Sequence, residues 1–326
     1  MSISQKIESF SQLQILVVGD VMVDAYYFGS VDRISPEAPV PVISVSKKDH
    51  RPGGAANVAL NLKNLGAKVL LSSVIGNDEE GRELTSLLKN EAININGLFT
   101  DQTRPTTMKT RVISSSQHLL RIDNESTNDI SEILENKILE YISNSINSIN
   151  AIILEDYNKG LLTKNLISKI IDIANKNKVP TIVDPKKENF FAYKNCTLFK
   201  PNRKEIIEGL KTDLDLTIPK NVDIAAQLLI DKLGCQNVMI TLSEDGVFIK
   251  NNKEAKHVKA HDRKIIDVSG AGDTVVSVAA LCLAANMNLE QTAEISNIAG
   301  GLVCQKLGVV PINSKELILE IERLKL

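Results

Sequence analysis

The feature that most restricts how this chain can fold is an alternation of short runs that are apolar throughout with longer segments of helical periodicity. The first run, Ile15-Leu16-Val17-Val18, ends in Gly19-Asp20, and similar runs recur at residues 69–74, 151–154, 181–183 and 238–242. A strand that is apolar on both faces must be covered on both faces, which is the situation of a central strand in a parallel sheet. Residues 55–65, 80–90, 130–146, 162–175 and 222–233 carry the helical patterns between these runs. Strand alternating with helix implies the α/β class, a mainly parallel sheet between two helical layers, with ligands gathered at the carboxyl ends of the strands.

Two stretches break this rhythm. Residues 26–45 are aromatic and β-branched and contain Pro36, Pro39 and Pro41, which disfavour helix and suit short exposed strands. Residues 106–123 alternate in part, through Met108, Thr110 and Val112 and then Leu120 and Ile122. Together they predict a small antiparallel sheet inserted as a β lid, with residues 1–326 otherwise forming one domain. Such an insert is too thin to bury both of its faces alone, so it is expected to cover a ligand and to pair with its copy in a homodimer. Beyond it, residues 271–285 and 289–307 read as two consecutive helices rich in Ala and Val.

Composition narrows the function classes. The chain is 43% hydrophobic and 24% charged over 326 residues, an ordinary globular balance. Lys plus Arg is 38 and Asp plus Glu is 40, for a net charge of −2, so there is no basic surplus for nucleic acid or an anionic membrane. No apolar run reaches the roughly 18 residues needed to span a bilayer, and the start MSISQKIESFSQLQ has neither a signal core nor an Arg-rich amphipathic pattern. Cys196, Cys235, Cys282 and Cys304 form no CxxC pair and read as free thiols, so a cytoplasmic setting is expected. The four histidines form no HxGH or HExxH element. Neither a GxxxxGK[ST] phosphate loop nor a GxGxxG after the first strand occurs, which disfavours Walker-type ATPases and dinucleotide oxidoreductases.

The strongest local feature is Asp267-Val268-Ser269-Gly270-Ala271-Gly272-Asp273-Thr274, which opens a long apolar helix. Small residues at Gly270, Ala271 and Gly272 let the backbone approach a ligand, with N–H groups at a helix N-terminus where the dipole favours an anion. Asp273 beside such an anion hole is then placed to take a proton from a hydroxyl attacking a bound phosphate. The same octamer also reads as a tight turn followed by an acid in the first turn of a helix. Gly53-Gly54-Ala55-Ala56-Asn57-Val58-Ala59, followed by Gly66 and Gly76, forms a second glycine-rich element, which alone is a turn leading into a helix. Asn202 and Glu205, in Pro201-Asn202-Arg203-Lys204-Glu205, read alone as a capping-box variant.

These three elements, which follow the family's order along the chain and are spread over more than 200 residues, resemble the signatures of the ribokinase (PfkB) family of carbohydrate kinases. The resemblance spans essentially the whole chain and implies a ribokinase-like three-layer α/β/α fold, with ATP as phosphoryl donor and Mg2+ as metal. It makes Asp273 the general base and the amides of Gly270, Ala271 and Gly272 the anion hole. Asn202 and Glu205 would act on Mg2+ through water. Asp24 would accept hydrogen bonds from sugar hydroxyls, with Asp20 either beside it or purely structural, and Gly53, Gly54 and Asn57 would contact the sugar. Thr241, Ser243 and Gly246 correspond to the turn under the nucleotide's ribose and phosphates, Asn297 and Ala299 to the adenine slot, and Asp267 and Ser269 to a K+ position.

The match narrows within the family. Gly19–Asp24, Arg33–Pro41, Arg51–Asn57, Asp156–Gly160 and Asp184-Pro185-Lys186, with Val278 after the acid, resemble the D-glycero-β-D-manno-heptose 7-phosphate kinase type. That type phosphorylates an anomeric hydroxyl on the way to nucleotide-activated heptose for lipopolysaccharide. A substrate already bearing a phosphate needs cationic partners at its far end, and Arg33, Lys109, Arg111, Arg121, Lys159 and Lys186 are the candidates, Lys159 and Lys186 each following a predicted strand end. Some members carry a fused nucleotidyltransferase with an HxGH motif; with no such motif here, the resemblance is to the free-standing kinase. Two other readings stay open: a kinase of the same family for another sugar, nucleoside or sugar phosphate, and a sugar-phosphate-binding sensor on the same fold.

Overall fold

The computed structural model describes residues 2–114 and 117–326; residues 115 and 116, inside the second lid stretch, lie outside the described residues. The chain opens with α1 (Ile3–Glu8) and the buried strand β1 (Gln14–Gly19), then leaves the body along β2 (Val21–Ile34) and returns along β3 (Pro41–Gly54). It continues through α2 (Ala55–Asn64), β4 (Lys68–Gly76), α3 (Glu79–Asn90) and β5 (Asn94–Asp101), and makes a second excursion along β6 (Met108–Ser114) and β7 (Gln117–Asn124). Next come α4 (Glu132–Ser145), β8 (Ala151–Glu155), α5 (Lys164–Lys176), β9 (Thr181–Asp184), the two-residue β10 (Leu198–Phe199), α6 (Arg203–Leu210) and α7 (Pro219–Leu233). The last third holds β11 (Asn237–Thr241), β12 (Val247–Asn251), β13 (Ala255–Val258), α8 (Ala271–Ala284), α9 (Leu289–Val303) and α10 (Ser314–Leu324).

Nine strands form one sheet in the order β13-β12-β11-β10-β9-β8-β1-β4-β5. All neighbours from β11 to β5 run parallel, and only the edge pairs β11–β12 and β12–β13 are antiparallel. Alternation along each strand divides the core in two. Ile15, Val17, Ile153, Ile182, Leu198 and Met239 pack with α2, α8 and α9, while Leu16, Val18, Ile152, Leu154, Val183 and Phe199 pack with α4, α5 and α7. A strand period of two thus supplies both helical layers from one apolar run. Among the described residues no helix is long and apolar enough to cross a membrane.

The inserted lid corrects one expectation. It is a four-stranded sheet of order β3-β2-β6-β7 and it is mixed, because its central pair β2–β6 is parallel. The reason lies in the connections. β2 follows β1 and β6 follows β5, so both strands leave the same edge of the parallel sheet in the same direction, and β3 and β7 pair with them antiparallel on the way back. The strands are also longer than expected: β2 and β3 have 14 residues each, and the prolines fall in the turn between them and at the first residue of β3. Helix α9 ends at Val303, four residues before the predicted end, where the Cys304 carbonyl accepts the Ile266 N–H at 2.8 Å and pins the loop that leads to α8.

Ile153 is fully buried in β8 at the middle of the sheet. Ile153→Ala is expected to lower unfolding free energy by about 2–5 kcal/mol, read as a lower denaturant midpoint with an unchanged slope.

Candidate active site

The carboxyl ends of β1, β8, β9 and β10 converge on the N-terminus of α8. Gly270 caps that helix with φ +78°, a left-handed conformation that suits glycine, and its carbonyl accepts the Thr274 N–H at 3.0 Å to start the helix. The Ala271 N–H goes back to the Val268 carbonyl at 3.2 Å. Of the three expected anion-hole amides, that of Ala271 is therefore engaged within its own turn. The amides of Gly272 and Asp273 sit in the first turn, where helix geometry provides no acceptor.

Asp273 itself is 8% exposed. Its Oδ2 accepts from Asn57 Nδ2 at 2.6 Å and its Oδ1 from the Tyr157 hydroxyl at 3.1 Å. Asn57 is oriented in turn by Asn61, one turn further along α2, whose Nδ2 donates to the Asn57 carbonyl and side-chain oxygens at 2.9 and 3.4 Å. The Thr274 hydroxyl donates to Asn61 Oδ1 at 3.0 Å and closes the chain between the two helices. Asn57, expected on the sugar, is thus placed on the acid. Burial pushes the Asp273 carboxyl up to about 6, with Asp184 adding to the rise and the Asn57 and Tyr157 donors opposing it. Burial and the neighbouring Asp273 push the Tyr157 phenol well up, so it remains a donor.

A second acid group lies beside this one. Asp184 pairs with Lys200 at 3.0 Å and with Lys186 at 3.4 Å, and Lys186 also reaches Glu205 at 2.9 Å. Although burial opposes it, the two lysines hold the Asp184 carboxyl below the usual range. Glu155, wholly buried at the end of β8, is pushed well up by burial and by the nearby Asp184 and Asp273. Lys186, expected at the sugar's far phosphate, lies over the Tyr157 ring and between Asp184 and the N-terminus of α6. Asn202 and Glu205 form a reciprocal capping box there: Asn202 Oδ1 accepts the Glu205 N–H at 2.9 Å and Glu205 Oε2 accepts the Asn202 N–H at 2.8 Å.

On the lid side, Asp24 is 7% exposed and pairs with Arg111. Gly53 lies opposite, where a Cβ would stand 2.2 Å from Asp24 Oδ2, so only glycine fits against that carboxylate. Gly54 caps α2. Asp20 has a backbone role: its carboxylate accepts the N–H groups of Tyr157 (2.9 Å), Lys159 (3.1 Å) and Leu161 (3.2 Å). Lys159 and Lys109 share Glu125, at 2.6 and 2.9 Å. Arg121 pairs with Asp123 and is 60% exposed, and Arg33 lies out on the exposed end of β2.

The residues expected at the nucleotide lie at the end of β11, in the turn that follows it and on α9. The Thr241 N–H meets the Pro201 carbonyl at 3.1 Å, Ser243 opens a short turn, and Gly246 closes it by accepting the Leu242 N–H at 2.8 Å. Asn297 donates to the Lys259 carbonyl at 2.8 Å, and Ala299 is fully buried. Asp267 accepts the N–H groups of Ser269 and Gly308, each at 2.9 Å. The sequence reading assigned no role to Tyr157, Glu155, Asp184, Asn61 or Lys200. Position offered a signal for two of them, since Glu155 and Asp184 each end a strand.

The chain matches the pfkB family carbohydrate kinase model over residues 12–316. It is 40% identical over 309 residues to a protein named bifunctional protein HldE from Desulfatibacillum aliphaticivorans, covering 94% of this chain and 63% of that protein. The chain spans less than two thirds of the length of the curated relatives at the head of that comparison. Among solved structures, it superposes on phosphofructokinase-2 from Escherichia coli in complex with potassium with a TM-score of 0.78 at 21% identity, covering 95% of this chain and 100% of that one. It superposes on Arabidopsis thaliana ribokinase complexed with ribose and ATP with a TM-score of 0.73 at 18% identity, covering 94% and 98%. The fold is ribokinase-like.

With Asp273 as the expected proton acceptor, which must be ionised to act, turnover is expected to fall as pH drops through about 6, where Asp273 regains its proton. The Tyr157 hydroxyl favours the ionised form, so Tyr157→Phe is expected to move this acid limb to higher pH. A pH profile of kcat/KM for both proteins checks it; an unmoved limb would show that Tyr157 does not act on the base.

Proposed function

This chain belongs to the pfkB family of carbohydrate kinases, phosphotransferases that act on sugar hydroxyl groups, and we propose that its reaction is ATP-dependent phosphorylation of D-glycero-β-D-manno-heptose 7-phosphate at the anomeric hydroxyl. The product is the 1,7-bisphosphate, a step toward nucleotide-activated heptose for lipopolysaccharide. The observation that carries this reading is the Asp273 carboxylate, buried at the N-terminus of α8 and held by Asn57 and Tyr157. The sugar hydroxyl oxygen attacks the γ-phosphorus in line, its proton passes to Asp273, and the bond from the γ-phosphorus to the bridging oxygen breaks to release ADP. Proton transfer of this kind contributes roughly 10²–10⁴-fold. Positioning and the first-turn amides of α8 supply charge stabilisation beyond it.

Specificity for this sugar is supported by the five segments that resemble the heptose kinase type and by the cations near Asp24. Arg111 beside Asp24, with Lys109 and Lys159 next to it, forms the group suited to a distal phosphate. Lys186 suits the transferring phosphoryl group, because it stands by Tyr157 and Glu205.

The residues present also fit Mg2+ in the manner expected. Both oxygens of Glu205 and the Oδ1 of Asn202 already accept one hydrogen bond each, which leaves lone pairs for waters around a hydrated ion and does not make a cage of direct ligands. Bound with the nucleotide, the ion would neutralise phosphate charge. A potassium ion, named for the Escherichia coli relative, is proposed at the Asp267–Ser269 turn. The lid exposes Ile34, Val40, Leu119, Leu120 and Ile122, which supports pairing with a second copy.

Asp273→Asn is expected to reduce ATP turnover by at least about 10²-fold, and a panel of acceptors is expected to favour heptose 7-phosphate. Preference for an unphosphorylated pentose or for fructose 1- or 6-phosphate would place the chain elsewhere in the family, and full turnover by Asp273→Asn would remove the assigned base. Light scattering at working concentration is expected to give the mass of a dimer.

A further inference from the structure

The loop after β8 brings the Tyr157 hydroxyl to Asp273, and part of what holds that loop lies outside the site described above. Lys159, two residues beyond Tyr157, is held at three points. Its N–H goes to Asp20 at 3.1 Å and its ammonium to Glu125 at 2.6 Å. Its carbonyl accepts Arg104 Nη1 at 2.8 Å. Asp20 and Arg104 thus satisfy the two backbone polar groups of one residue.

Arg104 stands between β5 and β6 with its side chain only 9% exposed. Its Nε pairs with Asp101 at 3.2 Å, which fixes the guanidinium plane, and its Nη2 donates to the Asn128 carbonyl. A guanidinium presents its donors as a rigid fork, so one side chain can hold two carbonyls at a set separation. The two carbonyls belong to segments in direct contact. A Cβ at Gly160 would stand 1.9 Å from the Asn128 oxygen, and the Ile130 N–H donates to the Gly160 carbonyl at 2.9 Å. Residues 102–107 and 125–131 are the two roots of the second lid excursion. Arg104, Glu125 and Asn128 therefore all meet the loop after β8 from the base of the lid, and Glu125 also takes Lys109 of β6 at 2.9 Å.

We propose that Arg104 is a positioning residue for the phosphoryl transfer: by holding the Lys159 and Asn128 carbonyls together, it ties the roots of the lid to the loop that presents Tyr157 and so sets the contact between Tyr157 and Asp273. It acts through the backbone of residues 157–159. The seating of the lid and the alignment of the base then share one support. This inference rests on the reading of Asp273 as the base and does not depend on which sugar is the acceptor.

Arg104→Gln and Arg104→Lys are compared with the unchanged chain by the pH profile of kcat/KM, with ATP and the best acceptor of the panel, and by amide hydrogen exchange. Arg104→Gln is expected to move the acid limb to higher pH by about 0.5–1 pH unit, the effect of losing one hydrogen bond to the ionised base. Exchange is expected to quicken selectively at the amides of residues 157–161. Arg104→Lys keeps the charge but not the fork, and is expected to move the limb in the same direction. Arg104→Gln added to Tyr157→Phe is expected to move it no further than Tyr157→Phe alone. That comparison separates positioning from a direct effect of charge, because the charged groups facing Asp273, namely Glu155, Asp184 and Lys186, are the same in every variant. An unmoved limb in Arg104→Gln, a further shift in the double variant, or a normal limb in Arg104→Lys would each overturn the proposal. So would faster exchange spread evenly over the chain, which marks a general structural role. If Arg104→Gln does not fold, Arg104→Lys carries the same comparisons. Absence of an acid limb near pH 6 in the unchanged chain would instead remove Asp273 as the base, and exchange at residues 157–161 would still decide whether Arg104 holds the loop.

Discussion

The ion pair between Lys200 and Asp184 is the interaction on which the rest of this site depends. Its two residues are 2% and 4% exposed, the N–O distance is 3.0 Å, and the Lys200 N–H also continues the sheet by donating to the Val183 carbonyl at 2.9 Å. Three acids end up at neighbouring strand ends because β8 and β9 are adjacent and in register, Glu155 opposite Asp184, and α8 points its first turn at them. Without a cation, such a cluster would be forced to neutralise or to separate. Removing one partner of a buried pair typically costs about 3–5 kcal/mol. The pair sorts the acids instead: Asp184 is held below its ordinary range by the lysines while Asp273 and Glu155 are displaced upward by burial. Environments that push neighbouring carboxyls apart in this way separate a structural anion from a group that can exchange protons.

The geometry around Asp273 is set by contacts that reach back through the fold. Asp20 gathers three backbone N–H groups of the loop after β8, and that loop carries Tyr157 to the acid. From the other side, Asn57 and Asn61 lie one turn apart on the face of α2 that meets α8, and Ser277 of α8 donates to the Val58 carbonyl at 3.4 Å. The small side chains Ala55, Ala56 and Ala59 keep that face close to the sheet and to α8. A polar seam thus runs between two otherwise apolar helices, and a fully satisfied buried network of this kind fixes one arrangement.

Much of the architecture was legible because strand and helix periods are local properties. The five apolar runs are β1, β4, β8, β9 and β11, and their alternation correctly implied two covered faces. The strands passed over are β5, β10, β12 and β13, whose character is not local: β5 (Asn94–Asp101) lies at the other edge of the sheet and has no continuous apolar run. β10 is two residues long and exists only by pairing between β9 and β11, and β12 and β13 form a short hairpin on the sheet's edge. The parallel centre of the lid was hidden for the same reason, since it follows from where β1 and β5 end in space. At the site, the glycine-rich octamer marked the start of α8 and the acid in its first turn, and the capping box at Asn202 and Glu205 marked the start of α6. Asn57 was expected on the sugar by motif and Lys186 at its far phosphate by its place after a strand; the structure adds Asp273, 216 positions away, as the partner of Asn57, and Asp184 and Glu205 as the partners of Lys186.

The amino-acid order by itself determined the class of fold, the order of its elements, the family to which the chain belongs and the position of the helix start that presents Asp273. These depend on hydrophobic period, on backbone conformations open to glycine and on short motifs, all written within a few residues. Only the tertiary structure decided which side chains meet at the ends of β1, β8, β9 and β10. Asp20 faces the loop after β8, Asn57 and Tyr157 face Asp273, and Glu155 is left without a partner, because hydrogen bonds and charge balance in a buried site depend on distances between residues as many as 216 positions apart.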